Sequence, residues 1–261
     1  MKLYFAGAET SKNLSFLKEV QVKNVLVSFF YLNKKKVKDY LEFDIFLDSG
    51  GYSVRVSKKK IDLDVYLENY IEFIKKWKIK NYANLDMGTY EGTIKNQKTM
   101  EKSGLKPIPV YHYSEFSNPE QKEVLIDYCK KYDYVAVGGT AGTVFGRNRI
   151  MSYLNYIFKV AKQYNTKIHG FGLTDFTLLS IFPFYSVDST SWLAGVKYGI
   201  FYHYQNGKMC YWAKDRFHKV IGKSFNSLPG SKIGIWSAHQ WNQYARFLED
   251  GIWKPSIRKY Q

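Results

Sequence analysis

Short apolar runs recur along the chain: KLYFAGA, NVLVSFF, FDIFLDS, NYANLD, KPIPVYH, YVAVGG, KIHGFGLT and YSVDSTSW. Most are apolar at consecutive rather than alternate positions, which is the pattern of strands buried on both faces. Between them lie segments with helical spacing. In DLDVYLENYIEFIKKWK, Val65, Leu67, Tyr70, Ile71 and Ile74 form an apolar stripe beside a lysine-rich face. TIKNQKTMEKSG reads as a helix closed by Gly104, NPEQKEVLIDYCKKY as one starting near Pro119, and RNRIMSYLNYIFKVAKQY as another. Eight strands alternating with helices predict an α/β fold, a (β/α)8 TIM barrel. An open doubly wound sheet is the competing architecture, because periodicity does not reveal whether the edges close. No proline- or serine-rich linker interrupts the pattern, so residues 1–261 read as a single domain, with residues 196–261 supplying the final helix and a basic, aromatic addition.

In such a barrel the reactive groups project from the carboxyl ends of the strands. Here the third strand ends in Asp48 and Ser49, the fourth in Asp86, the fifth in His112, the sixth in Gly138 and Gly139, the seventh in His169 and Gly170, and the eighth in Asp188. Three carboxylates and two imidazoles are thus expected on one rim. A lone Asp at a strand end is ordinarily a turn or helix cap, and Asp188 could equally be a buried Asp satisfied by Ser189, Thr190 or Ser191. Repetition at successive strands weakens that plain alternative. In DSGGY the paired glycines permit close backbone approach, so a flat ligand could lie there with Tyr52 as a stacking face. Asp188 as nucleophile with Asp48 as acid and base would support substitution at an anomeric carbon.

Charge narrows the substrate class. Lys and Arg number 39 against 23 Asp and Glu, a formal net charge of +16, which favours polyanions and nucleic acid first, although compositional bias towards Lys is the bland alternative. The two cysteines, Cys129 and Cys210, form no CxxC pair, and the histidines form no HxH or HExxH pattern, so no metal site is expected. No run approaches the roughly 18 apolar residues of a membrane span. A soluble, cytoplasmic protein without membrane contact is expected.

The order DSGGY, Asp86 on the next strand, VGG, HGFGLT and then Asp188 within SVDSTSW resembles the tRNA-guanine transglycosylase superfamily, over roughly residues 40–195. Those enzymes are (β/α)8 barrels that exchange a guanine in a polynucleotide for a 7-deazaguanine. The resemblance implies that Asp188 attacks C1′ of the target nucleoside and that Asp48 handles the proton on the departing and entering bases. It implies that Asp86 reads the guanine N1 and N2 edge, Gly139 beside Gly138 donates to O6, Tyr52 stacks on the base, and Gly170 or Phe171 closes the other face. Ser49, His112 and His169 join the candidate base-binding residues.

The departures are informative. VYHYSE stands where the tRNA enzymes carry a glutamine, so His112 substitutes in base recognition or serves another role. Their zinc site of three cysteines and a histidine is not expected from two cysteines, and neither is the extra RNA-binding domain of archaeal members. The chain therefore looks more like the compact DNA 7-deazaguanine transglycosylases, many from bacteriophages, which would place it in the host cytoplasm, with 7-deazaguanine as co-substrate and no zinc. DNA is the expected partner and tRNA the alternative. A retaining glycoside hydrolase and a nucleic-acid-binding barrel without catalysis are further alternatives.

Because a duplex hides C1′, the target nucleotide must be flipped out. Residues 202–225 interleave Tyr, Trp and Phe with Lys208, Lys214, Arg216, Lys219 and Lys223, which suit phosphates and unpaired bases; an ordinary hairpin and helix with core aromatics is the alternative. Lys34 to Lys36 and Lys58 to Lys60 read as solvated faces. The sequence does not set the oligomeric state.

Overall fold

A computed structural model describes residues 1–32, 34–139, 146–213, 216–217, 222 and 229–250. All eight expected strands form: β1 (Lys2–Phe5), β2 (Asn24–Ser28), β3 (Asp44–Asp48), β4 (Asn81–Tyr82), β5 (Val110–His112), β6 (Tyr134–Gly138), β7 (Lys167–Gly170) and β8 (Ser186–Ser189). They pair in parallel in the order β4-β3-β2-β1-β8-β7-β6-β5. Closure decides against the open sheet. The two end strands meet through a parallel bridge between Ala83 and Ile108, where the Ile108 amide donates to Tyr82 O at 2.9 Å and the Asn84 amide to Ile108 O at 3.0 Å. The fold is a TIM-type α/β barrel.

Strand alternation sorts the side chains into two cores. Leu3, Val25, Leu47, Tyr111, Val135, Ile168 and Val187 point outward and pack under the helices. Tyr4, Ala6, Leu26, Phe46, Ala83, Ile108, Val110 and Ala136 fill the barrel interior. Each fully buried aliphatic or Phe side chain contributes about 1.5–3 kcal/mol, so both sides of the sheet must be covered.

The surrounding helices are α1 (Ser11–Glu19), α2 (Gly51–Val56), α3 (Leu63–Trp77), α4 (Tyr90–Lys102), α5 (Tyr113–Ser117), α6 (Val124–Lys131), α7 (Arg147–Tyr164), α8 (Phe176–Ile181), α9 (Ala194–Tyr198) and α10 (Gly230–Glu249). Helix α3 is capped by the Asp62 carboxylate and buries Leu67, Tyr70, Phe73 and Ile74. Val65, expected in that stripe, is exposed in its first turn, and Phe73 takes the inner position. Gly104, at φ +85°, follows the end of α4 as expected. Helix α6 starts at Val124 rather than near Pro119, because the Asn118 carboxamide oxygen accepts the Glu120 amide and folds residues 118–123 into turns.

After β8, strands β9 (Ile200–Gln205) and β10 (Lys208–Ala213) form an antiparallel hairpin turning at Asn206 and Gly207, both in the left-handed region, as a tight Asn-Gly turn requires. Helix α10 closes the ring beside α1: Asn242 donates to Val20 O, Ser237 donates to Trp192 O, and Trp241 is wholly buried. Among the described residues no helix is long and apolar enough to cross a membrane.

Candidate active site

The carboxyl ends of β3, β4, β5 and β8 bring Asp48, Asp86, His112 and Asp188 to one mouth. Asp48 accepts the Gly50 amide at 3.1 Å. Burial, reinforced by the negative charges of Asp86 and Asp188, pushes its pKa up to about 7. A carboxyl that titrates there can both give and take a proton near neutrality.

Asp188 is buried, and neither Ser189, Thr190 nor Ser191 satisfies it. Its Oδ1 accepts the Gly172 amide at 2.8 Å and lies 3.5 Å from His169 Nε2. Oδ2 has no hydrogen-bond partner among the described residues. One oxygen is held and the other is unengaged.

Asp86 is the centre of a small network. Oδ1 accepts the Ser49 hydroxyl at 3.2 Å and Oδ2 contacts His112 Nε2 at 2.9 Å. On the other side of the ring, His112 Nδ1 lies 3.6 Å from Glu115 Oε1, while Glu115 Oε2 accepts the His112 amide at 2.8 Å. Burial opposes the imidazolium, but hydrogen bonds to Asp86 and Glu115 outweigh it and raise the His112 pKa to about 9. His112 is thus a partly exposed imidazole set between two carboxylates that favour its protonated form. An ionised carboxylate offers about four lone-pair sites, so Asp86 keeps acceptor capacity for a ligand after binding Ser49 and His112.

The raised His112 pKa has a stability consequence with a definite sign. Its contribution is complete below the unfolded value near 6.5 and is lost as pH rises through about 9. The unfolding free energy is expected to fall by about 2–3 kcal/mol across that window, and His112→Asn should flatten the fall in denaturant titrations at stepped pH.

The glycines serve packing more than ligand access. A Cβ on Gly51 would lie 2.1 Å from the Asp86 carbonyl oxygen, and one on Gly50, at φ +76°, would lie 2.6 Å from Phe30 Cβ. These residues are small because the β4 loop and Phe30 press against them, which corrects the expectation that a flat ligand fills that space. Gly138 is buried and packs against the site residues: a Cβ there would sit 3.4 Å from His112 Cδ2 and 3.9 Å from Phe171 Cδ2. Gly139 follows at φ +79° and is exposed.

Two expected base-binding residues lie too deep to touch a ligand. Ser49 is wholly buried, and its hydroxyl holds Asp86. His169 is also wholly buried, stacked on Phe46 with centroids 4.3 Å apart, one layer below the mouth. Alternation along β7 sends its last residues to opposite sides. Gly170 faces the outer core at Phe184 and Leu173, whereas Phe171 turns inward and meets Phe46 and His169 edge-on. Tyr52 is 68% exposed on α2, leaving a ring face open.

Sequence reasoning missed Glu115 and Arg55. The signal for Glu115 was the H-x-x-E spacing of a capping box at the start of α5. Arg55 stands one turn after Tyr52, its guanidinium 5.9 Å from that ring, and it lies against Gly88 so closely that any Cβ there would overlap it.

In the basic, aromatic addition, Lys208 and Arg216 are exposed, whereas Lys214, Lys219 and Lys223 lie outside the described residues. Phe201 and Phe217 are buried core, with ring centroids 4.1 Å apart, so the ordinary-hairpin alternative holds for them; Tyr211 remains exposed. Lys58 to Lys60 are exposed. Among the described residues no group of three or more His, Cys, Asp or Glu is placed to hold a metal ion. No family model and no curated protein matches the chain.

Proposed function

We propose that this protein is a base-exchange transglycosylase that replaces guanine in DNA by a 7-deazaguanine through a covalent Asp188 intermediate. The observation that carries the reading is the pairing at one mouth of Asp188, held through a single oxygen, with Asp48, whose pKa stands at about 7. In the first half-reaction Asp188 Oδ2 bonds to C1′ as the C1′–N9 bond breaks. The electron pair leaves on N9, and protonated Asp48 supplies the proton that neutralises the departing guanine. In the second, Asp48 takes the N9 proton of the incoming base, N9 bonds to C1′, and Asp188 is released.

Asp86 retains acceptor sites for the N1–H and N2–H edge, and His112 offsets the negative charge that three aspartates concentrate. Tyr52 supplies a stacking face. The formal net charge of +16 suits a polynucleotide. DNA is favoured over tRNA because two cysteines cannot furnish the zinc site of the tRNA enzymes.

Nucleoside mass spectrometry after incubation with a 7-deazaguanine base and either duplex DNA or tRNA tests the reading. Deazaguanine in DNA alone is the expected result. Deazaguanine in tRNA alone would move the activity to the parent substrate, and salt-sensitive binding without exchange on either polymer would leave a binding barrel. Tyr52→Ala is expected to raise KM for the incoming base by an amount equivalent to about 1–3 kcal/mol of lost stacking. Since Tyr52 is exposed, its thermal unfolding midpoint should stay at the parent value.

A further inference from the structure

The barrel interior beneath Asp188 contains a polar chain that the proposed reaction does not yet use. His169 Nδ1 lies 2.6 Å from Ser186 Oγ, and Ser186 in turn contacts the Tyr134 hydroxyl. The other ring nitrogen, Nε2, is buried, lacks a hydrogen-bond partner and points at Asp188 Oδ1 from 3.5 Å. A buried N–H or lone pair without a partner is costly, so its placement against a carboxylate calls for a reason.

Two tautomers fit the ring, and chemistry separates them. With the proton on Nδ1, the Nε2 lone pair would face a carboxylate oxygen, which is repulsive. With the proton on Nε2, every group donates in one direction: Tyr134 O–H to Ser186 Oγ, Ser186 O–H to Nδ1, and Nε2–H towards Asp188. Stacking on Phe46 and the edge contact with Phe171 fix the ring plane.

We propose that His169 is a positioning residue, held as the Nε2–H tautomer by Ser186, that closes a hydrogen bond onto Asp188 Oδ1 during the reaction. This rests on the reading of Asp188 as nucleophile. Catalytic hydrogen bonds are often long before substrate binds and tighten afterwards. With the Gly172 amide, Nε2–H makes two donors on Oδ1, which directs Oδ2 at C1′. The same pair receives the charge that returns to Asp188 when the incoming base displaces it.

The test combines two variants with a spectroscopic readout. His169→Phe keeps an aromatic ring on Phe46 and removes the donor; His169→Gln carries an amide N–H near the former Nε2. His169→Phe is expected to lower the rate of exchange by about 10²-fold, with KM for the base changed by less than about twofold. His169→Gln should recover at least about tenfold of that loss. In the intact protein labelled with 15N-histidine, nitrogen-proton correlation spectra should report His169 as the Nε2–H tautomer, its signals identified by their absence from His169→Gln.

Wild-type rates in His169→Phe, no advantage of His169→Gln over His169→Phe, or an Nδ1–H tautomer would each overturn the inference. Exchange that survives Asp188→Ala, or is absent from the wild-type protein, would instead overturn the function on which it rests. The tautomer readout is independent of activity and decides the contact in either case.

Discussion

Asp188→Ala is expected to reduce base exchange by about 10⁴- to 10⁶-fold, because in the proposed mechanism it removes the covalent nucleophile and leaves only binding and the surrounding dipoles. The comparison is made by following deazaguanine incorporation over time in parallel with the parent protein. Folding should survive the change. Asp188 is held by the Gly172 amide and approached by His169, but it is also one of three carboxylates in one mouth, and its removal relieves repulsion on Asp48. Retained DNA binding together with lost exchange separates the chemical role from a structural one. Exchange within about tenfold of the parent would remove Asp188 from the mechanism.

Asp48→Asn is the second large effect, an expected loss of about 10²- to 10⁴-fold in both half-reactions. The pH profile makes the assignment sharper. With a pKa of about 7, the parent protein should lose the first half-reaction above that pH, where Asp48 has no proton to give. The second half-reaction should fade below it, where Asp48 has no lone pair to accept one. Single-turnover rates of the two halves are therefore expected to run in opposite directions and cross near neutrality.

Linkage adds an independent check on Asp48. Its folded pKa is raised above an unfolded value near 4, so the folded state binds the proton more tightly and stability declines as pH rises from about 4 to about 7. Asp48→Asn removes that decline. It should raise the unfolding free energy by about 1–3 kcal/mol at pH 8 and leave it nearly unchanged at pH 4. A carboxyl perturbed by burial and by two neighbouring carboxylates marks a candidate functional site.

Much of this arrangement was legible along the chain. FDIFLDS and YVAVGG are apolar on consecutive residues, and both became barrel strands with one side under helices and the other in the interior. Asp48, Asp86, His112 and Asp188 could be placed on one rim because a parallel barrel puts every strand's carboxyl end on the same side. Pairings across strands could not be read this way. The Asp86–His112 contact depends on the β4–β5 closure, and nothing in the local spacing of either segment announces it.

Depth was the second obscured quantity. Ser49 and His169 carry polar groups at strand ends, but the pleat and the stagger of the barrel sent them below the mouth, to support Asp86 and face Asp188 respectively. The glycines of DSGGY were correctly singled out for a tight approach, while the approaching group is the chain's own Asp86 carbonyl rather than a ligand. Arg55 and Glu115 were hidden inside short helices whose side-chain directions emerge only once α2 and α5 are docked.

Trapping distinguishes a covalent bond to Asp188 from every alternative. Duplex DNA is incubated with the protein in the absence of an incoming base, the complex is denatured and digested, and peptides bearing an added nucleotide are mapped by mass spectrometry. A single modified peptide containing Asp188 is expected, absent from Asp188→Ala and discharged when a 7-deazaguanine is added before denaturation. Attachment at Asp48 or elsewhere, or full exchange with no adduct at any time point, would contradict it.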